Sequence, residues 1–252
     1  MTAPTPQRLL RTLACLQPLL SPQVQVLLLP DMPDAAMSAQ LAALPQYTQL
    51  SGAAHGYAAC FNRLLAHGQH DVCLLLEAGA APAGNWLAIL LAVLQANPGI
   101  GVFGPSSNRA WNMQRQSAGC IDEPAAIEAA AASAARQHGL KWVDNAPLYC
   151  LGDFCYGVTR ALINTIGGAD EGFGAGPCWE MEYSARAARA GFEVAWVPGA
   201  FVFRPAPGER RCNDERRFFE ASKQRYQDAL CGRRLRQVCR SYAAHCQGEA
   251  CG

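Results

Sequence analysis

The segment Ile166–Arg204 reads IGGADEGFGAGPCWEMEYSARAARAGFEVAWVPGAFVFR; it passes from a glycine-rich loop through a carboxylate cluster into a helix and then a strand. Gly167, Gly168, Gly172, Gly174 and Gly176 fall within ten residues. That density opposes regular structure and lets backbone come close to a ligand or a neighbouring element. From Glu180 the pattern turns helical: Met181, Ala185 and Ala188 share one side, and Glu182 precedes Arg186 by four residues, the favourable acid-first order. Gly191 stops the helix, and Phe192 to Val197 reads as a short buried strand. A loop carrying Asp170, Glu171, Glu180 and Glu182 is therefore bracketed by rigid elements, an arrangement suited to a functional site.

Upstream of this segment, helical and strand-like patterns alternate. Pro6 to Leu20 carries leucines at helical spacing and is closed by Pro22; Val24 to Leu29 (VQVLLL) reads as a buried strand running into PDMPD, with Asp31 and Asp34 at its end. Met37 to Leu44 is helical, QYTQLSG a weak strand, and GYAACFNRLLAHG a helix ended by Gly68. DVCLLL is a buried strand running straight into Glu77, followed by a helix from Asn85 to Gln95. Ile100 to Phe103 is a strand opening into the polar loop GPSSN; an alanine-rich helix (Ala125 to Gln137), an extended run (Leu148 to Val158) and a short helix from Thr159 to Ile166 complete the series. Such alternation predicts a doubly wound α/β fold with a mainly parallel, mixed sheet. In such sheets ligands bind beyond the C-terminal ends of strands, where Asp31 and Glu77 fall; PDMPD also reads as a plain polar turn.

A chain of 252 residues, half of them apolar, can bury a substantial core in one large α/β domain. Its net charge of +1 gives no reason to expect nucleic acid as a partner, but the charge is unevenly placed. Eleven lysines and arginines lie from Arg204 to Arg240 against five acids, leaving that segment near +6. Pro205 to Gly208 marks a boundary between residues 1–204 and a basic helical extension, 205–252, with helices expected at Cys212 to Cys231 and Arg233 to Tyr242. Its arginines could meet anionic lipid at the inner membrane face, or simply form a solvated basic surface. Of the twelve cysteines, Cys60 and Cys73 sit in apolar runs, and the set Cys150, Cys155, Cys231, Cys239, Cys246 and Cys251 with His245 contains no CxxC pair. Free buried thiols in a reducing cytoplasm are therefore expected rather than disulfides or a zinc site. No stretch is apolar enough for long enough to cross a bilayer.

In this order, and over roughly Leu9 to Arg204, GYAACFN, LLLEAGAAPAGNW, GPSSN and GGADEGFGAGPCWEMEYSARAARAG resemble the family 2 nucleotide-sugar glycosyltransferases of the GT-A fold. The resemblance implies inverting transfer of a sugar from a nucleotide-diphosphate donor to a hydroxyl of a glycan, lipid-linked or protein acceptor. In such chemistry a carboxylate-held Mg²⁺ or Mn²⁺ neutralises the leaving diphosphate, and a second carboxylate takes the acceptor proton. Carried over by motif, Glu77 takes the metal position, Glu180 the general base, Glu182 the second acid of that motif and Asp31 a nucleotide contact. Gly56, Asn62, Asn108, Asp170 and Trp179 fall in the segments that would hold nucleotide or substrate, Trp179 reading equally as a core indole.

Three departures from the family pattern accompany this. Gly79 stands where a second metal-motif acid is expected, so the divalent cation loses a ligand. Glutamate replaces aspartate at the base position. The chain also begins about where the helix after the family's first, central strand would begin. A sheet without that strand leaves backbone unpaired, and a partner chain, a second copy or the C-terminal tail is expected to complete it. These departures imply an alternative to catalysis: a weakened homologue acting as a structural or regulatory subunit.

Overall fold

The computed structural model describes residues 6–67, 70–116, 122–145 and 150–231. Gly68, the expected helix at Arg233 to Tyr242, and Cys239, His245, Cys246 and Cys251 lie outside them. The helices are α1 (Pro6–Leu16), α2 (Ala35–Ala42), α3 (Tyr57–His67), α4 (Trp86–Ala96), α5 (Pro124–His138), α6 (Arg160–Ile166), α7 (Trp179–Arg189) and α8 (Glu209–Cys231). The strands are β1 (Leu27–Leu28), β2 (Thr48–Gln49), β3 (Val72–Leu76), β4 (Ala81–Pro82), β5 (Ile100–Ser106), β6 (Val143–Asp144), β7 (Cys155–Thr159) and β8 (Glu193–Phe203).

The strands form two sheets. β1 and β2 pair in parallel by themselves, whereas the larger sheet has the order β3-β7-β5-β8-β4, with β6 also on β8. β3, β5 and β8 run in one direction, because β7 lies antiparallel between β3 and β5 while β5 and β8 are parallel. This is the mixed α/β sheet expected from the alternating pattern. The expected strand Val24 to Leu29 is regular only at Leu27–Leu28, having a single neighbour to hold it, while β8 extends well past Val197 because β5 pairs with Phe201 and β4 with Val202 and Phe203.

Each face of the large sheet carries its own core. On β3, Cys73 and Leu75 point into a core with α3, α6 and α7, whereas Val72, Leu74 and Leu76 point into the one under α4; alternate residues of a strand face opposite ways. The first core is built on four buried rings, Phe61, Tyr156, Trp179 and Tyr183. Phe61 stands edge-on to Tyr156 and Tyr183 with centroids 5.8 and 5.2 Å apart, and lies 5.1 Å from Trp179. Helix ends follow local chemistry: the Asp34 side chain caps α2 at Met37 N, and Thr159 accepts from Leu162 N to start α6. Thr12 docks α1 onto the turn after β3, donating to Ala80 O and accepting from Gly79 N, both at 2.8 Å.

Basic helix α8 lies on the body of the molecule, with Ser222 and Tyr226 buried against it. Among the described residues no helix is long and apolar enough to cross a membrane. Because Phe61 contacts the other three rings, Phe61→Ala should lower the unfolding free energy by about 3–5 kcal/mol in urea titrations.

Candidate functional site

Four strand and helix ends converge by register. β3 pairs antiparallel with β7, so Leu76 faces Cys155, Glu77 N donates to Phe154 O at 2.8 Å, and Asp153 falls beside Glu77. A tight turn after Glu77, closed by Ala80 N to Glu77 O at 2.9 Å, leads into β4, whose Ala81 pairs with Phe203 at the end of β8. The next residue, Arg204, is thereby delivered to the same place. Asn108 fixes its backbone, accepting from Arg204 N at 2.8 Å and donating to Arg204 O at 3.1 Å. The first turn of α8 supplies Arg211.

These groups form a buried ion cluster. Arg204 Nε donates to Glu77 Oε2 at 2.8 Å; Arg211 Nη2 reaches both oxygens of Asp153 at 2.7 and 2.8 Å, and its Nε donates to Glu215 Oε1 at 2.6 Å. Burial by itself would raise the Asp153 pKa, but the guanidinium groups of Arg211 and Arg204 outweigh it and hold the carboxyl below its ordinary value. Arg211 stacks over the Tyr57 ring, 4.6 Å from its centroid. Its Nη1 has Glu77 Oε2 at 3.4 Å as an ion pair but no hydrogen-bond acceptor. Glu77, Asp153 and Arg211 line one end of a cavity of about 760 Å³, as do Asp31, Gly56 and Arg210.

Asp31 follows β1 and accepts from Gly56 N at 3.1 Å, while Arg210 Nη1 donates to the carbonyls of Asp31 and Met32 at 3.2 and 3.1 Å. Gly56 has φ +97°, and a Cβ there would come within 1.8 Å of Gly174 O, so only glycine lets α3 meet the glycine-rich loop.

Glu180 lies in the first turn of α7, 7% exposed and outside the cavity wall. Cys178, just before α7, holds a left-handed φ of 76°, a strained conformation for a residue with a side chain. Burial, aided by the neighbouring Asp153 charge, pushes the Glu180 carboxyl up to about 8, and its Oε2 has no hydrogen-bond partner.

The remaining sequence candidates organise the loop. Glu182 is buried and pairs with Arg186 at 2.6 Å; Arg186 in turn donates to Ile166 O and Gly168 O. Asn62 brackets Ala169, donating to its carbonyl at 2.9 Å and accepting from its amide at 2.7 Å. Asp170 is held in a two-pronged pair by Arg225 of α8, which lowers its pKa. Trp179 is fully buried among the core rings. Glu77, Asp31 and Gly56 therefore reach the cavity, whereas Glu182, Asn62, Asp170 and Trp179 do not line it. Asp153, Arg204 and Arg211 were not singled out by motif. The available signal was one aspartate inside the otherwise apolar LYCLGDFCYGV, since a buried acid requires a cation.

The residues beside Glu77 do not suit a divalent cation. Its carboxylate is engaged by Arg204, Gly79 contributes no side chain, and no group of three candidate ligands occurs among the described residues.

No protein-family model matches the chain, and no curated protein matches it. Solved structures do. At a TM-score of 0.58 and 14% identity it is similar to GalNAc-T7, solved with UDP, GalNAc and Mn²⁺, over 88% of this chain and 46% of that one. Mannosyltransferase PcManGT from Pyrobaculum calidifontis, in complex with GDP-Man and Mn²⁺, matches at 0.58 and 16% identity over 88% of this chain and 62% of that one. S. aureus TarS matches at 0.60 and 10% identity, over 93% and 64%. The fold is that of the GT-A glycosyltransferases. The chain spans roughly half to two-thirds of the length of those three structures.

Asp153→Ala should cost about 3–5 kcal/mol, because it leaves buried guanidinium charge uncompensated; Arg225→Ala, which breaks an exposed pair, should cost under about 1 kcal/mol in the same denaturant titration. The Glu180 pKa is raised on folding, so between about pH 4.5 and 8 the native state holds a proton that the unfolded chain has released, and stability falls as pH rises through that window. Glu180→Gln should therefore raise Tm by roughly 3–8 °C near pH 8.5 and change it little near pH 5, as read by circular dichroism melts.

Proposed function

We propose that the protein transfers a sugar, with inversion, from a nucleotide-diphosphate donor to an acceptor hydroxyl, and that arginine takes the part a divalent cation plays in related chemistry. The observation that carries this reading is the Arg211 guanidinium: the residue lines the cavity, and its buried Nη1 has no hydrogen-bond acceptor. A diphosphate leaving group gains negative charge as the glycosidic bond breaks, and a fixed guanidinium in a poorly hydrated site stabilises that charge without reorganising. UDP and GDP-Man in the structural neighbours support a donor of this class.

Glu180 is the proposed base. Its carboxyl is buried outside the cavity wall, so the role requires the start of α7 to move and admit the acceptor; its raised pKa, about 8, then makes it a stronger base than an ordinary carboxylate, mostly protonated at neutral pH. A second reading, donor binding without turnover, is favoured by one contact: the 2.8 Å bond from Arg204 Nε to Glu77 keeps that carboxylate neutralised from within the chain.

Release of nucleoside diphosphate from a panel of nucleotide sugars tests both. The transferase reading expects turnover that survives EDTA, rises with pH through about 8, and falls on the order of 10²-fold in Arg211→Lys, which keeps the charge but loses the planar fork. Glu180→Gln should lower kcat about 10²–10⁴-fold. Turnover that requires Mn²⁺ overturns the arginine assignment; donor binding without release of diphosphate for any sugar establishes the second reading.

A further inference from the structure

Beyond β5 the chain forms a closed loop, residues 107–116, at the edge where β3 and β8 also end, since the three strands run in one direction. Its ends are tied together: Ser107 N donates to Gln114 O at 2.8 Å and Gln116 N to Ser107 O at 2.7 Å. The buried Gln114 side chain fixes the loop to the sheet, donating to Pro105 O and accepting from Gly152 N, both at 2.7 Å. Two asparagines carry it to both halves of the candidate site. Asn108 clamps the backbone of Arg204, and Asn112 donates to the carbonyl of Cys150, whose thiol is pushed up by burial and then by the nearby Glu180 carboxylate. The remaining residues of the loop are of a different kind. Trp111 is 56% and Met113 46% exposed, and Arg109 and Arg115, on either side of them in sequence, are exposed as well. Residues 105–116 contain no Asp or Glu, so neither arginine has an acid within the loop to pair with. None of these four lines the 760 Å³ cavity.

We propose that this loop is a platform for the acceptor, and that the acceptor is a saccharide bearing carboxylates. The inference rests on the transferase reading and names the substrate class on its acceptor side. An indole held in water by a loop that is already ordered meets a ligand at little further cost in entropy. Its flat apolar face suits the C–H face of a pyranose ring, and the planar forks of Arg109 and Arg115 suit carboxylates on neighbouring rings. A neutral glycan would leave both guanidinium groups without a partner. A lipid surface would find only two apolar side chains, too small an area for interfacial binding. Position agrees with chemistry. Through Asn108 the loop stands against Arg204 of the ion cluster, and through Asn112 and Cys150 it stands close to the proposed base, which is where an acceptor hydroxyl has to arrive.

Calorimetric titration of the full chain without any donor tests it, using tetrasaccharides of hyaluronan and of polygalacturonate, each beside its carboxyl-reduced form. The expected result is saturable binding of at least one acidic tetrasaccharide, at least about tenfold tighter than its reduced form. Trp111→Ala should weaken that binding about tenfold, Trp111→Phe should recover most of it, and Arg109→Gln and Arg115→Gln should each weaken it several-fold. All of these side chains are exposed, so circular dichroism melts of the variants should match that of the parent chain. Absence of binding by both acidic saccharides overturns the proposal, as does binding that ignores Trp111. Equal affinity for the reduced forms overturns it in favour of a neutral glycan. Phosphatidylglycerol vesicles that bind through Trp111 while the saccharides do not overturn it in favour of a membrane surface. Saccharide binding with no release of nucleoside diphosphate from any donor sinks the transferase reading alone; turnover onto a neutral acceptor without acidic-saccharide binding sinks the platform alone.

Discussion

Two arginines and two carboxylates have left water together, and most of the surrounding architecture depends on their doing so in register. A buried carboxylate such as Asp153 is tolerated only because guanidinium groups stand against it, and both come from the stretch where β8 ends and α8 begins. Arg204 is positioned by the β4–β8 pairing and the amide of Asn108, Arg211 by the start of α8. The cluster thus ties the sheet, the turn after β3 and the basic helix into one body. It also meets the charge that Glu77 would otherwise offer to a cation, which links the stability of the fold to the kind of chemistry the site can perform.

Much of this was legible in the sequence, and the boundary of legibility has physical causes. DVCLLL, GYAACFNRLLAH and the α7 segment carry strong period-two or period-3.6 patterns, and each appears where its pattern puts it. The glycine-rich loop before Trp179 was recognisable by density alone, though not its purpose: Gly56 and Gly174 touch across a distance in sequence that no local pattern encodes. Glu182 and Arg186 were readable as a helix pair and are one. Asp153, Arg204 and Arg211 were hidden because ion pairing between distant segments follows from strand register, which motif reading does not provide. VQVLLL overstated its strand because a pattern records what a segment prefers, and only neighbours turn preference into a ladder.

The split in the sheet and the ion cluster meet at one edge of the molecule. Asp31 and Glu77 stand at the ends of the two strands that border the cavity, and Arg210 and Arg211 bridge toward both. The small parallel pair β1–β2 is held there by its helices and by α8.

The order of charges along the chain has a further consequence for how the molecule is made. Glu77 and Asp153 precede Arg204 and Arg211, so during vectorial synthesis the acids emerge from the ribosome before the cations that permit their burial. Arg204, just past β8, is the first cation available to both acids, and α8 then sets Arg211 against them. Helix α8 thus completes the neutralisation of the acids at the ends of β3 and β7 only after the strands of the sheet have been synthesised.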